Sequence, residues 1–177
     1  IENERLHVPR FYGLERFGCA EVDERTSGTE VDLEFEGSMT DVQERAINII
    51  MKRYYHNTGP KGCISVLPCG FGKTVKALKL ITLLKRKTIV FVHTTILADQ
   101  WIERTQTFIP NARIGKIKGD VFDIEADIVI AMVLTVAKRG FDKSVFDSFG
   151  FAIFDECHHM AARVMNTATL MLNAEYV

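Results

Sequence analysis

"SVLPCGFGKT", Ser65 to Thr74, is the stretch on which the reading of the fold turns. A short apolar run meets a proline. Two glycines then bracket one phenylalanine, and a lysine and a hydroxyl follow. Gly70 and Gly72 lack the Cβ atoms that would keep an anion away from backbone N–H groups. Lys73 to Lys85 is rich in leucine and alanine, which predicts a helix. A strand that feeds a helix through such a turn aims amides and the positive helix end at one point. Lys73 can reach the β and γ phosphates of a nucleotide there, and the Thr74 hydroxyl can ligate Mg2+. The pattern G-x-x-x-x-G-K-[ST] is met except at its first glycine, where Leu67 stands. The alternative is an ordinary glycine turn whose lysine points into water.

On either side of this loop, two patterns alternate. Thr40 to His56 carries Val42, Ala46, Ile49 and Ile50 at helical spacing, with Thr40 as N-cap. Cys63 to Leu67 reads as a buried strand after the turn signal Asn57-Thr58-Gly59-Pro60. Strands are expected at Thr88 to Val92, Ile128 to Met132 and Phe151 to Phe154. Helices are expected from Ile96 to Phe108, stopping near Pro110, and from Ala161 to Leu172. Alternation of this kind means βαβ units and a mostly parallel sheet. Residues 1–38 stand outside it as a small flanking segment. Within them Val31, Leu33 and Phe35 alternate with Asp32 and Glu34, the period of a half-buried strand.

A second site follows at "FAIFDECHH", Phe151 to His159. An apolar strand ends in two carboxylates, at the end where open α/β sheets carry their ligands. Asp155 is placed to hold Mg2+, and Glu156 to orient and deprotonate an attacking water. The plainer reading is a solvated acidic strand end. Cys157-His158-His159 lacks the usual spacing of metal ligands.

Composition bounds the rest. The chain has 177 residues, 47% of them hydrophobic, and a formal net charge of -1. Bulk charge announces no nucleic-acid partner, although a local basic strip would suffice. No apolar run is long enough to span a membrane. The four cysteines, Cys19, Cys63, Cys69 and Cys157, form no C-x-x-C pair. Free thiols in an intracellular, reducing compartment are expected, without a secretory signal.

"PCGFGKT" and "DECH" together resemble motifs I and II of the superfamily 2 helicases, the group that includes the DEAD-box enzymes. The "PRFYG" stretch before them is similar to the XPB-like branch and to helicases of large DNA viruses. The likeness spans about residues 8 to 177. It implies a P-loop, RecA-like three-layer α/β lobe over residues 39–177, ending before motif III. It also implies ATP and Mg2+ bound by Pro68, Cys69, Gly70, Phe71, Gly72, Lys73, Thr74 and Asp155, with Lys73 and Glu156 catalytic. "MTDVQERA" is similar to the glutamine motif, in which Gln43 would read adenine. Thr40 to Gln43 is equally a capping box, in which Gln43 turns back to the Thr40 N–H. Phe11 or Tyr12 would stack on the base, unless they serve packing alone.

"VHTTILADQW" resembles motif Ia, whose members hold a nucleic-acid phosphate, here through Thr94 and Thr95. Helix capping is the other role open to them. His93 stands where relatives often have proline. Trp101 is read as core. "ARIGKIKGD" and "AMVLTVAKR" resemble motifs Ib and Ic, with Gly119 and Thr135 touching the strand backbone. Leu134 stands where relatives often have glutamine. Lys116, Lys118, Lys138 and Arg139 form a basic strip or a solvated face. Thr167-Ala168-Thr169 mimics motif III but lies in a helical pattern and is read as helix. The partners implied are a nucleic acid, DNA before RNA, and a second RecA-like lobe, with no membrane. Without that lobe the chain is expected to bind nucleotide weakly and to hydrolyse it negligibly. Two rivals remain: a P-loop NTPase without a nucleic-acid substrate, and a lobe that only binds.

Overall fold

The computed structural model describes residue 8 and residues 10–56, 61–68, 70–157 and 163–177. A five-stranded sheet organises them, in the order β3-β2-β4-β1-β5. The strands are β1 (Thr88–Val92), β2 (Ile114–Lys118), β3 (Val121–Phe122), β4 (Ile128–Met132) and β5 (Phe151–Phe154). β1 pairs in parallel with β4 and β5, and β2 pairs in parallel with β4. Only the β2–β3 pair is antiparallel, closed by the two-residue turn Gly119-Asp120.

Six helices complete the described residues: α1 (Arg10–Phe17), α2 (Asp41–His56), α3 (Lys73–Leu84), α4 (Thr95–Phe108), α5 (Val133–Arg139) and α6 (Arg163–Leu170). A 3-10 turn covers Lys143–Phe146. All five β1 residues are buried, because both faces of the sheet are covered. Val90 and Val92 join Ile128 and Ile130 in a core with Ile50, Leu78, Ile81 and Trp101 from α2, α3 and α4. Ile89 and Phe91 point the other way, into a core with Val129, Val133, Val136, Phe146 and Ala168. The period of two along β1 thus divides the molecule into three layers.

Two expected strands are corrected. Cys63 to Leu67 forms no ladder, and Ile64 and Val66 are 79% and 88% exposed. Its neighbour is the last residue: Val177 accepts from the Cys63 N–H at 3.0 Å and donates to Lys61 O at 3.0 Å. On its other side the same terminal segment bonds to β5, with Ala152 N–H donating to Tyr176 O at 2.9 Å. Among the described residues no strand pairs with Ser65 and Val66. Val31 to Phe35 likewise buries Val31 and Leu33 and exposes Asp32 and Glu34, as its alternation predicts. Its amides nevertheless serve no strand. Val31 N–H donates to Lys85 O and Glu34 N–H to the Asn111 side chain. Periodicity gave the buried face correctly but not the bonding partner.

Residues 10–38 are laid across the lobe. Gly28 and Gly150 meet backbone to backbone: a Cβ on Gly150 would lie 1.9 Å from Ser27 O. A cavity of about 830 Å3 between α1 and α6 is lined by Phe11, Leu14, Phe17, Phe154 and Leu172. Thr167 to Thr169 lies within α6, and Ala168 is fully buried, as the helical pattern requires. No helix among the described residues is long and apolar enough to cross a membrane.

Candidate active site

Parallel pairing places strand ends together. Val92 is opposite Met132, and Phe91 opposite Phe154. The chain segments that leave β1, β4 and β5 therefore emerge at one edge: His93 to Thr95, Val133 to Thr135, and Asp155-Glu156. α3 precedes β1 through the short Lys85–Lys87 connection, where Lys85 takes the left-handed conformation at φ 53° and ends the helix. The chain reverses there, so the N-terminus of α3 lies at the edge where β1 ends. α3 also packs against β5. Loop and carboxylates thus share one end of the sheet.

The loop itself is built from glycine geometry. Gly72 caps α3 at φ 71°, a conformation costly for any residue with a Cβ. A Cβ there would also meet the Gln43 amide nitrogen at 2.3 Å. A Cβ on Gly70 would meet nothing within 4 Å, so the loop faces open space. Phe71 is 44% exposed, and Lys73 and Thr74 are half-buried. Pro68 O accepts from the Phe71 N–H at 3.4 Å, closing the turn. Cys69 lies outside the described residues, as do His158 and His159 of the "CHH" stretch. One helical turn on, Lys76 is buried and donates to the Ser65 hydroxyl. Burial lowers its ammonium from the usual value; the Cys63 thiol opposes this and Lys73 adds to it.

Gln43 does two things at once. Its Oε1 accepts from the Thr40 N–H at 2.9 Å, and the Thr40 hydroxyl accepts from the Gln43 N–H at 3.4 Å. This is the capping box. Its Nε2 donates to Phe71 O at 3.2 Å, tying α2 to the glycine loop. Phe11 and Tyr12 sit on α1: Phe11 lines the α1–α6 cavity and abuts Gly62, and Tyr12 is 54% exposed.

Asp155 and Glu156 form the turn after β5. Asp155 N–H donates to Phe91 O at 3.1 Å, continuing the ladder for one residue. Asp155 Oδ1 accepts from the Glu156 N–H at 3.0 Å, and Oδ2 accepts from the Trp101 indole at 2.8 Å. Glu156 has φ 52°, a left-handed conformation rare outside glycine and often found at functional turns. Trp101 is 3% exposed and packs as core. Its bond to Asp155 spans 54 residues and left no trace in the sequence pattern.

The remaining candidates line the same edge. Thr94 caps α4, its hydroxyl accepting from the Leu97 N–H at 3.2 Å, and Thr95 opens the helix; both are exposed. The capping role is therefore real for Thr94. Gly119 N–H donates to the Thr135 hydroxyl at 3.3 Å, which joins the two motif-like stretches. Lys116, Lys118, Lys138 and Arg139 are exposed around them, with Arg139 3.9 Å from Asp120. The β2–β3 hairpin was missed in the sequence, although Gly-Asp between short apolar runs is a hairpin signal.

These residues fit a magnesium–triphosphate. The donor set is hard oxygen from Thr74 and Asp155, as Mg2+ prefers. The glycine loop offers amides and open space, and Lys73 offers a cation.

Comparison with known proteins bears on the family and the fold. The family model described as "Type III restriction enzyme, res subunit" matches residues 36–177. A protein of Acanthamoeba polyphaga mimivirus, provisionally named an ATP-dependent RNA helicase, is 29% identical over the whole chain. A provisionally named helicase of Invertebrate iridescent virus 3 is also 29% identical over the whole chain. The chain spans 34% of the first relative and 56% of the second. Among solved structures, the SWI2/SNF2 ATPase core of Sulfolobus solfataricus, in complex with double-stranded DNA, matches with a TM-score of 0.62. That match covers 81% of this chain and 31% of the other, at 14% identity, so it speaks to fold.

Proposed function

The chain belongs to the ResIII family of type III restriction enzyme res subunits and has the RecA-like fold of a first helicase lobe; on that premise we propose that it is the ATP-binding lobe of a nucleic-acid translocase. The observation that carries the proposal is the common edge shared by the Gly70–Thr74 loop and the Asp155-Glu156 turn.

When bound, the magnesium–triphosphate supplies the phosphoryl group and a divalent charge against which charge can develop. Amides of Gly70 to Thr74 hold the phosphates, with Pro68 and Cys69 preceding them in the sequence. Lys73 adds a mobile cation to the β and γ positions. Thr74 and Asp155 hold the metal. Glu156 orients the attacking water and accepts its proton. Gln43 reads the adenine edge, exchanging one of its present bonds for the base. Thr94, Thr95, Gly119 and Thr135 hold strand phosphates, and the basic residues beside them add attraction. In a longer protein a second lobe supplies arginines, which are worth roughly 10³ to 10⁵ in rate in P-loop enzymes. The chain by itself binds nucleotide weakly and turns it over negligibly.

DNA and RNA are separable by experiment. ATPase activity of the longer protein is measured alone and with single-stranded DNA, duplex DNA and RNA. Stimulation by DNA above RNA is expected. Activity indifferent to every nucleic acid would contradict the translocase reading and leave a plain NTPase.

A further inference from the structure

We propose that Trp101 is a positioning residue for Asp155: its indole N–H fixes the carboxylate through which Mg2+ is held. The inference rests on the nucleotide-site reading above and adds a residue that reading does not use.

A buried indole N–H must find an acceptor, and core tryptophans commonly take a backbone carbonyl or a water. Trp101 instead takes Oδ2 of the acid at the end of β5, at 2.8 Å. The Glu156 N–H takes Oδ1 at 3.0 Å. Two donors at right places leave the carboxyl little torsional freedom. The indole is itself buried, being 3% exposed in the core cluster that also holds Val90, Val92, Ala98 and Ile130. Rigidity of the carboxylate is thus borrowed from α4. Partners that orient a metal's ligands in this way act on metal affinity without touching the metal. The element that carries Trp101 also begins at Thr94 and Thr95, so the acid and the candidate phosphate contacts hang on one helix.

Trp101 is the sole tryptophan, so its indole N–H gives a single resonance in an isotope-labelled chain. Asp155→Ala should move that resonance upfield. Titrating ADP with Mg2+ should move it further than ADP with a chelator. Trp101→Phe keeps an aromatic ring at the position and removes the donor. It should lower the melting temperature by a few degrees, as a smaller ring in the core does, and raise the Mg2+ concentration for half-maximal nucleotide binding by about ten-fold. Unchanged Mg2+ dependence in Trp101→Phe, or an indole signal indifferent to both Asp155→Ala and the metal, overturns the inference. If Trp101→Phe fails to fold, the wild-type titration decides alone. A wild-type chain that binds no magnesium nucleotide by calorimetry overturns the site reading, and this inference with it. Binding with unaltered metal dependence overturns the inference only.

Discussion

At the residue scale, Gln43 shows how one side chain can cap a helix and tie down a loop through different atoms. Its Oε1 closes the capping box and its Nε2 holds the glycine loop. Gln43→Ala removes both and should cost about 1 kcal/mol, a fall of about 2–4 °C in melting temperature. Gln43→Glu keeps the acceptor and loses the donor. It should melt within a degree or so of wild type yet bind ATP several-fold more weakly, read by thermal melts and calorimetry on the same samples. A Gln43→Glu chain with wild-type ATP affinity would show that the loop contact and the adenine edge are both dispensable.

The elements were unevenly legible. β1, β4 and β5 could be read because a strand buried on both faces is a continuous apolar run, whatever lies beside it. α4 could be read because Thr94 caps it and Pro110 follows its end. Cys63 to Leu67 has the same composition and was misread, since burial of a run depends on neighbours that the run does not encode. Val31 to Phe35 gave its buried face but not its bonding. Both motif sites were visible as local strings, whereas the Trp101–Asp155 bond, made across 54 residues, was not. Most of what is local in sequence could be read, the Gly119-Asp120 hairpin excepted, and the bonds made by distant segments could not.

At the foot of β2 and β4 an ion pair adjoins the ladder. Asp127 accepts from the Arg113 backbone N–H at 2.9 Å and from its guanidinium at 2.8 Å. Burial pushes the Asp127 carboxyl up, but the Arg113 donors outweigh it and hold it below the usual value. A carboxyl depressed in the folded state stabilises above its unfolded pKa of about 4, and that contribution is lost as pH falls through the folded pKa. Asp127→Asn should therefore cost about 1 kcal/mol at neutral pH, a gap that narrows as the pH is lowered below about 4. Denaturant melts of both chains across that range check it. A gap that does not narrow in acid would locate the effect elsewhere.

At the scale of the whole molecule, the described residues before 39 meet the lobe backbone to backbone at Gly28 and Gly150. No side chain fits between them. Gly150→Ala forces the two backbones apart and should cost about 2–3 kcal/mol, as overpacking does. A melting temperature unchanged by Gly150→Ala would mean that the flanking segment contributes nothing to stability.

The central claim is that the Gly70–Thr74 loop and the Asp155-Glu156 turn make one magnesium–nucleotide site. The most direct test is calorimetric titration of this chain with ATP in Mg2+ and in chelator, alongside Lys73→Ala and Asp155→Ala. Weak, metal-dependent binding is expected for the wild-type chain. Lys73→Ala should lose about 10- to 100-fold in affinity, the worth of a charge-assisted bond to phosphate, and Asp155→Ala should lose the metal dependence. Binding that survives both substitutions intact, or no binding by the wild-type chain, would contradict the account.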